Sequence, residues 1–470
     1  MKMLIAGKWV EKKTCIEVTN PFDGSVIDTV PCADASDVEA ALEGAVRGAE
    51  AMRKLSARER SEILAKAAGL LRERSADFAG TIAREVGKTL REAEVEVERA
   101  GQTIVIASEE AKRIAGEMIP FDASPGGETK MGFYIRVPVG VVLAITPFNV
   151  PLNLACHKVA PAIAAGNAVI LKPATATPLA DLMLGQVLLD AGMPPEAVSV
   201  ITGRGGDIGS LLISDPRVRV VTFTGSPEVG ECITKTAGLK KCAMELGSNS
   251  CAIVMDDADL DEAAIRVRRG GYAVAGQVCI SVQRVIVHEK VYDAFLGKLV
   301  PLVGQIRAGN QLDSCTDMGP MISEDEAKRA ESWIGEAVSA GAKCLLPVHR
   351  IGALLNPTVL VDVTPEMKVW AKEAFGPLVV VVKCRDFDHA IELANTSDYG
   401  LQAGIFTNNL DYALRAVREI EVGGVMVNDV PAYRADAMPY GGVKRSGFGR
   451  EGPKFAIEEM TEIKVVTFQM

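Results

Sequence analysis

No stretch of this chain is long and apolar enough to read as a membrane span. The most hydrophobic run, residues 137–155, is broken by Pro138, Pro147 and Pro151, whereas a spanning helix needs about 20 predominantly apolar residues. Basic residues are in deficit. Lys+Arg total 51 against 61 Asp+Glu, a formal charge of −10, and a nucleic-acid binder needs the opposite balance. The four histidines (His157, His288, His349 and His389) cluster neither together nor at metal-ligand spacing to the cysteines, and none of the 10 cysteines forms a C-x-x-C pair. No metal site and no disulfide framework are therefore expected, and most cysteines should be small buried hydrophobes. The N-terminus, MKMLIAGKWVEKK, has one short apolar patch and then charge. It lacks the apolar length and cleavage site of a signal peptide, so a cytoplasmic protein is expected. Two phosphate-binding signatures are also missing. Gly203, Gly205 and Gly209 miss the G-x-G-x-x-G spacing by one residue, and Gly230 is followed by Glu231 rather than by a Walker lysine.

What is present is an ordinary globular composition, 48% hydrophobic and 24% charged over 470 residues, enough for two to four domains at about 100–200 residues each. Residues 1–35 alternate around a turn at Asn20-Pro21. Residues 35–117 carry helical periodicity, with Val38, Ala41, Leu42, Ala45, Val46 and Ala49 at three- and four-residue intervals. Further helices are expected over 56–74, 76–88 and 89–115. The turn-rich segment 120–129 predicts a protruding hairpin. From Val137 onward, apolar strands (141–145, 168–171, 198–201, 218–223 and 241–246) alternate with helical segments, which implies βαβ units and a parallel sheet. A second such series starts at Ala252 and runs to about Val427. A domain boundary is expected near Gly247.

Several strand ends carry chemistry-bearing residues. Thr222-Phe-Thr-Gly-Ser-Pro places Gly225 and Ser226 between a strand and a helix, where backbone N–H groups can approach a phosphate. Lys172 closes a strand, and strand ends of an open parallel sheet are where ligands bind. Glu245 ends another strand beside a glycine turn and can serve as a general base. Asn149, in Thr146-Pro147-Phe148-Asn149, can donate to an oxyanion. Cys279 sits in a small-residue loop, and a thiolate is a strong nucleophile near neutral pH. Taken singly, each is equally a plain turn, a solvated side chain or a structural cysteine.

Taken together, ITPFNVPL, GNAVILKPAT, FTGS, MELGSN, GQVCIS, KEAFGPL and MPYGGVKRSGFGRE occur in an order that resembles the NAD(P)-dependent aldehyde dehydrogenase superfamily over about residues 16–462. The C-terminal segment resembles the branch of lactaldehyde, glyceraldehyde and semialdehyde dehydrogenases. The resemblance implies an α/β fold: a Rossmann-type cofactor domain (1–117 and 139–246), an α/β catalytic domain (247–448) and a small oligomerisation arm (118–138 and 449–470). It also implies a homodimer or homotetramer, since a strand-like tail over 463–468 would be an aggregation risk as an open edge.

By the same resemblance, Cys279 attacks the aldehyde to give a thiohemiacetal whose oxyanion is held by Asn149 and the Cys279 backbone N–H. Hydride passes to the nicotinamide. Glu245 then activates water to hydrolyse the thioester to a free acid, and its presence disfavours the CoA-acylating alternative. Lys172 matches the adenosine-ribose lysine, Gly225 and Ser226 the diphosphate turn, and Val229 the adenine side. Thr146, Pro147, Phe148 and Gly205 fall at cofactor contacts, while Glu373 and Phe375 match the nicotinamide-ribose pair. Thr175 replaces a glutamate that would repel a 2′-phosphate, so both NAD and NADP should serve. Val150, Val278 and Ile280 suggest a compact apolar pocket, and Arg99 and Arg434 can reach an anionic tail or form structural salt bridges. A short, hydroxylated or anionic aldehyde is expected. A cysteine-dependent acyl transferase or esterase without nicotinamide is the reading from another class.

Overall fold

The computed structural model describes residues 1–470. Helix starts in the first third are set by reciprocal caps. Asp34, Ser56 and Thr89 each accept from the backbone three residues on, and Asp37, Glu59 and Glu92 return the bond. They open helices Ala35–Lys54, Ala57–Glu73 and Leu90–Ala111, with Ser75–Val86 between. The first cap is thus Asp34, one residue ahead of the expected 35–37 group. The long fourth helix stops at Ala111, short of the expected 115.

Eight strands form the first sheet. Its parallel core runs, across the sheet, Val198–Val200, Ala168–Lys172, Val141–Ile145, Val218–Thr224 and Lys241–Glu245. The chain starts at the middle strand, Val141–Ile145, moves outward to one side, then returns to the other. A crevice opens at that reversal, beyond the C-terminal strand ends. The helix Pro151–Ala165 is buried at every residue, which accounts for the most apolar stretch of the sequence without any membrane. No helix is long and apolar enough to cross one.

A second, seven-stranded sheet holds Cys251–Val254, Arg284–His288, Leu378–Cys384, Gln402–Phe406 and Gly424–Val427, all parallel, with Thr358–Val361 and Lys343–Cys344 beyond them. Each sheet has its own hydrophobic core. The expected hairpin forms: Met118–Ile119 pairs with Lys130–Pro138, which pairs over nine residues with Thr461–Gln469. The C-terminal segment also returns to the first sheet, where Gly447–Phe448 pairs antiparallel with Lys241–Glu245.

One buried ion pair ties the helical layer to the crevice. Lys88 Nζ lies 2.5 Å from Glu96 Oε2. Glu96 Oε1 accepts from the Leu152 and Asn153 backbone at 2.9 and 3.2 Å, capping the helix that follows Asn149. Removing one member of a buried pair strands the other charge, at about 3–5 kcal/mol. Glu96→Ala should lose stability on that scale, and a clear fall in denaturant midpoint checks it.

Candidate active site

The loop that carries Cys279 is strained and clamped. Val274 and Ala275 have φ of 52° and 53°, and a β-branched residue in that region costs about 1–3 kcal/mol. At Gly276, with φ +72°, a Cβ would come within 2.0 Å of the Gly376 carbonyl oxygen. Surrounding bonds hold the strain. Val274 N donates to Glu92 Oε1 at 2.8 Å, Gln277 Nε2 to the Val274 carbonyl at 3.1 Å, and Ile322 N to Gln277 Oε1 at 3.0 Å. Asn149 Nδ2 donates to the Gln277 carbonyl at 2.7 Å. That leaves its second amide hydrogen free beside the thiol loop.

Cys279 Sγ has one hydrogen-bond partner, Tyr440 Oη at 3.0 Å. Burial pushes the thiol up to about 11. The Tyr440 hydrogen bond and the Arg434 cation work against that shift, and Glu373 and Glu245 add to it. Glu245 is buried, its Oε2 has no partner, and burial, then Glu451, raises its carboxyl well above the usual range. Gly441 keeps the space beside it, since a Cβ there would approach Glu245 Oε1 to 2.8 Å.

A cavity of about 550 Å³ opens onto Cys279. Asn149, Val150, Val278, Ile280, Arg99 and Arg434 all line it, as does Tyr440. Six basic side chains (Lys88, Arg91, Arg99, Arg268, Arg269 and Arg434) face it against three acidic ones (Glu92, Glu96 and Asp317). Both arginines singled out from the sequence also form ion pairs. Arg99 meets Asp436 through Nε at 3.1 Å and Nη2 at 2.8 Å, and Arg434 Nη2 meets Glu451 Oε2 at 2.9 Å. Each keeps further N–H groups.

The other predicted positions gather away from that cavity, at the strand ends of the first sheet. Thr146 N donates to the Lys172 carbonyl, and Pro147 follows it. Phe148 and Phe375 meet edge to face, 5.9 Å between ring centres, with Phe375 at φ 44°. Thr175 Oγ1 donates to the Gly203 carbonyl at 3.3 Å, and Gly205 opens the helix Gly205–Ser214. Gly225 N donates to the Glu245 carbonyl. Ser226 caps Pro227–Ala237 by accepting from Val229 N, and Val229 is exposed in the first turn. Glu373 Oε1 accepts from Ser248 N at 2.9 Å, and burial raises its carboxyl to about 8. Lys172 is buried, donates only to the Pro173 carbonyl at 2.9 Å, and is lowered by burial to about 8. A buried ammonium without a carboxylate and a helix N-terminus as donors, with the Glu373 carboxyl as acceptor, form a polar set that fits a ribose-phosphate ligand. No group of three or more His, Cys, Asp or Glu side chains is placed to hold a metal.

Reading the sequence alone missed Tyr440, Lys158, Glu451 and Gln277. Tyr440 and Glu451 stand inside the quoted C-terminal motif, so their positions were visible but their roles were not. Gln277 likewise stands inside the quoted GQVCIS motif, and Lys158 had no local signal.

The model of the "Aldehyde dehydrogenase family" matches residues 9–466. The 3-sulfolactaldehyde dehydrogenase of Priestia megaterium is 49% identical over 469 residues, covering 100% of this chain and 98% of that protein. Among solved structures, aldehyde dehydrogenase 21 from Physcomitrella patens, in complex with the reaction product succinate, superposes with a TM-score of 0.97 at 41% identity, covering 100% and 98%. The NADP-dependent glyceraldehyde-3-phosphate dehydrogenase from Bacillus halodurans, complexed with NADP, does so at 0.97 and 37%, covering 100% and 99%. The fold and these matches define an NAD(P)-dependent oxidoreductase acting on aldehydes. The chain belongs to the aldehyde dehydrogenase family.

Proposed function

We propose that this enzyme oxidises a short aldehyde carrying an anionic group to the free carboxylic acid, with Cys279 as nucleophile, Asn149 at the oxyanion and Glu245 as general base. The observation that carries the substrate class is the basic lining of the Cys279 cavity, six cations against three anions, in a chain whose overall charge is −10. The similar proteins fit the same class, being named for a sulfonated aldehyde, a phosphorylated aldehyde and a succinate product. Val150, Val278 and Ile280 keep the reacting end compact, and the free donors of Arg99 and Arg434 face the tail.

The Cys279 thiolate attacks the carbonyl carbon. The free Asn149 amide hydrogen and the Cys279 backbone N–H take the developing oxyanion, a donor typically worth about 2.7–4 kcal/mol of barrier. The bound dinucleotide supplies a hydride acceptor. Glu245, with Oε2 unpartnered, would take a proton from water and release the acid. Lys172, Thr146, Pro147, Phe148, Gly205, Gly225, Ser226 and Val229 would hold the dinucleotide from a unit of residues 1–117 and 139–246, with Glu373 and Phe375 reaching it from the other unit. Residues 247–448 would form the catalytic unit, and 118–138 with 449–470 the arm. Thr175 presents a neutral hydroxyl, and the exposed Arg204 stands at the adjoining helix start, which supports use of NADP as well as NAD. The ten free cysteines support a reducing, cytoplasmic setting.

An aldehyde panel read by reduction of each dinucleotide tests this. Short anionic aldehydes should exceed neutral ones of equal length in kcat/KM. In Arg99→Gln, KM for the anionic substrates should rise about tenfold, with neutral aldehydes little changed. Ester turnover without dinucleotide reduction would instead favour the acyl-transferase reading, and a requirement for CoA the acylating one.

Because Glu245 is raised well above the usual carboxylate range, chiefly by burial, its base form grows as pH rises. Acid release should therefore climb with pH above the ordinary carboxylate range. Glu245→Gln should keep a first-turnover burst of reduced dinucleotide while steady-state kcat falls at least about 10²-fold. Stopped-flow absorbance separates the two.

Strand Thr461–Gln469 forms the outer edge of its sheet, with Ile463, Val465 and Phe468 about half exposed. This edge supports assembly as a homodimer or homotetramer. Sedimentation velocity should show one of these, and a monomer at micromolar concentration would refute it.

A further inference from the structure

Tyr440 Oη is the only hydrogen-bond partner of the Cys279 sulfur, at 3.0 Å, and Cys279 is the only partner of that hydroxyl. The ring is held from two sides. Tyr440 N donates to the Glu451 carbonyl at 3.1 Å, and Glu451 N returns a bond to the Tyr440 carbonyl at 2.7 Å. The Arg434 guanidinium lies over the ring face, 3.7 Å from its centre, fixed by its bond to Glu451. We infer that Tyr440 is a catalytic residue that donates its phenolic O–H to the Cys279 sulfur and holds it as the attacking thiolate, with Arg434 strengthening that donor across the ring. This rests on the reading of Cys279 as nucleophile.

The hydroxyl has no other protein acceptor within reach, and a bond to an ionised acceptor is about twice as strong as a neutral one. Burial, and then Cys279, raise the phenol well above its ordinary value, so it keeps its proton. It is a donor and not the base. When the thiol ionises, its proton leaves to solvent water, and the Tyr440 proton stays on oxygen. Four groups face the sulfur. Tyr440 and Arg434 favour the anion, and Glu373 and Glu245 oppose it. Burial is the largest influence, so the hydroxyl offsets the dominant penalty at the one atom that must carry charge.

Iodoacetamide alkylation of the protein without dinucleotide tests the inference with no turnover required; Cys279→Ser identifies the part of the signal that belongs to Cys279. In Tyr440→Phe the thiol should shift up by about one pH unit, a tenfold loss of thiolate. A more basic thiolate is more nucleophilic, with a Brønsted slope of about 0.4–0.5. The net result should be alkylation about three- to fourfold slower below the midpoint, with kcat/KM lower and KM nearly unchanged. Incorporating 3-fluorotyrosine at position 440, which makes the phenol a better donor, should move alkylation the opposite way. This arm also serves if Tyr440→Phe does not fold. An alkylation profile unmoved by either change overturns the proposal and leaves Cys279 as nucleophile. Full aldehyde oxidation by Cys279→Ser would overturn the underlying reading instead.

Discussion

The Glu451 carboxylate is the interaction on which the site depends. Oε1 receives Lys158 at 2.6 Å, and Oε2 receives Arg434 at 2.9 Å. Burial alone would push this carboxyl up, yet Lys158 and Arg434 hold it well below the usual carboxylate range. Lys158 belongs to the fully buried helix of the first sheet and also donates to Thr224 at 2.7 Å. One anion thus joins that helix, the strand leading to the Gly225 turn, and the C-terminal segment that carries Tyr440. Without it, two buried cations would lose their partner at once.

Around this anchor, burial disfavours the charged form of two acids, which are then treated differently. Glu245 adds to the cost of ionising Cys279, as a neighbouring acid does, and Glu451 adds to the cost of ionising Glu245. The thiol has Tyr440 and Arg434 to favour its anion. Glu245 Oε2 has no protein donor, which leaves its lone pairs unpaired. The two environments push the groups toward separate roles. The left-handed Val274 and Ala275 just ahead of Cys279 add backbone strain at the reacting loop, which persists because Glu92, Gln277 and Asn149 over-determine its geometry.

Charge is distributed unevenly. The chain is acidic overall, yet among the charged groups lining the cavity before Cys279 cations outnumber anions six to three. A cleft of one sign inside a molecule of the other focuses the field on the entering ligand and raises its local concentration. His157 Nε2, Arg99 and Asn153 converge on Asp436, so part of this basic lining is held in place by an acid behind it.

Much of the fold is legible in sequence, because helical spacing and the strand–helix alternation are local and repeat many times. The helices Ala35–Lys54 and Ala57–Glu73 and the five parallel strands of the first sheet lie within a few residues of their expected places. Cys279, Asn149, Glu245 and the strand-end positions were legible only as an ordered set of motifs, since each alone is an ordinary residue in a turn. What no local pattern carried is pairing across distance. Tyr440 reaches Cys279 from 161 residues away, and Lys158 reaches Glu451 from 293. Whether Arg434 binds a carboxylate of the protein or faces the cavity was undecidable from its neighbours in sequence, and the tertiary structure shows it doing both. Sequence determined which chemistry-bearing side chains exist and which strand ends present them. Only packing of the two sheets decided which are buried and which charges meet, and burial together with those partners sets the charge state of the groups at this site.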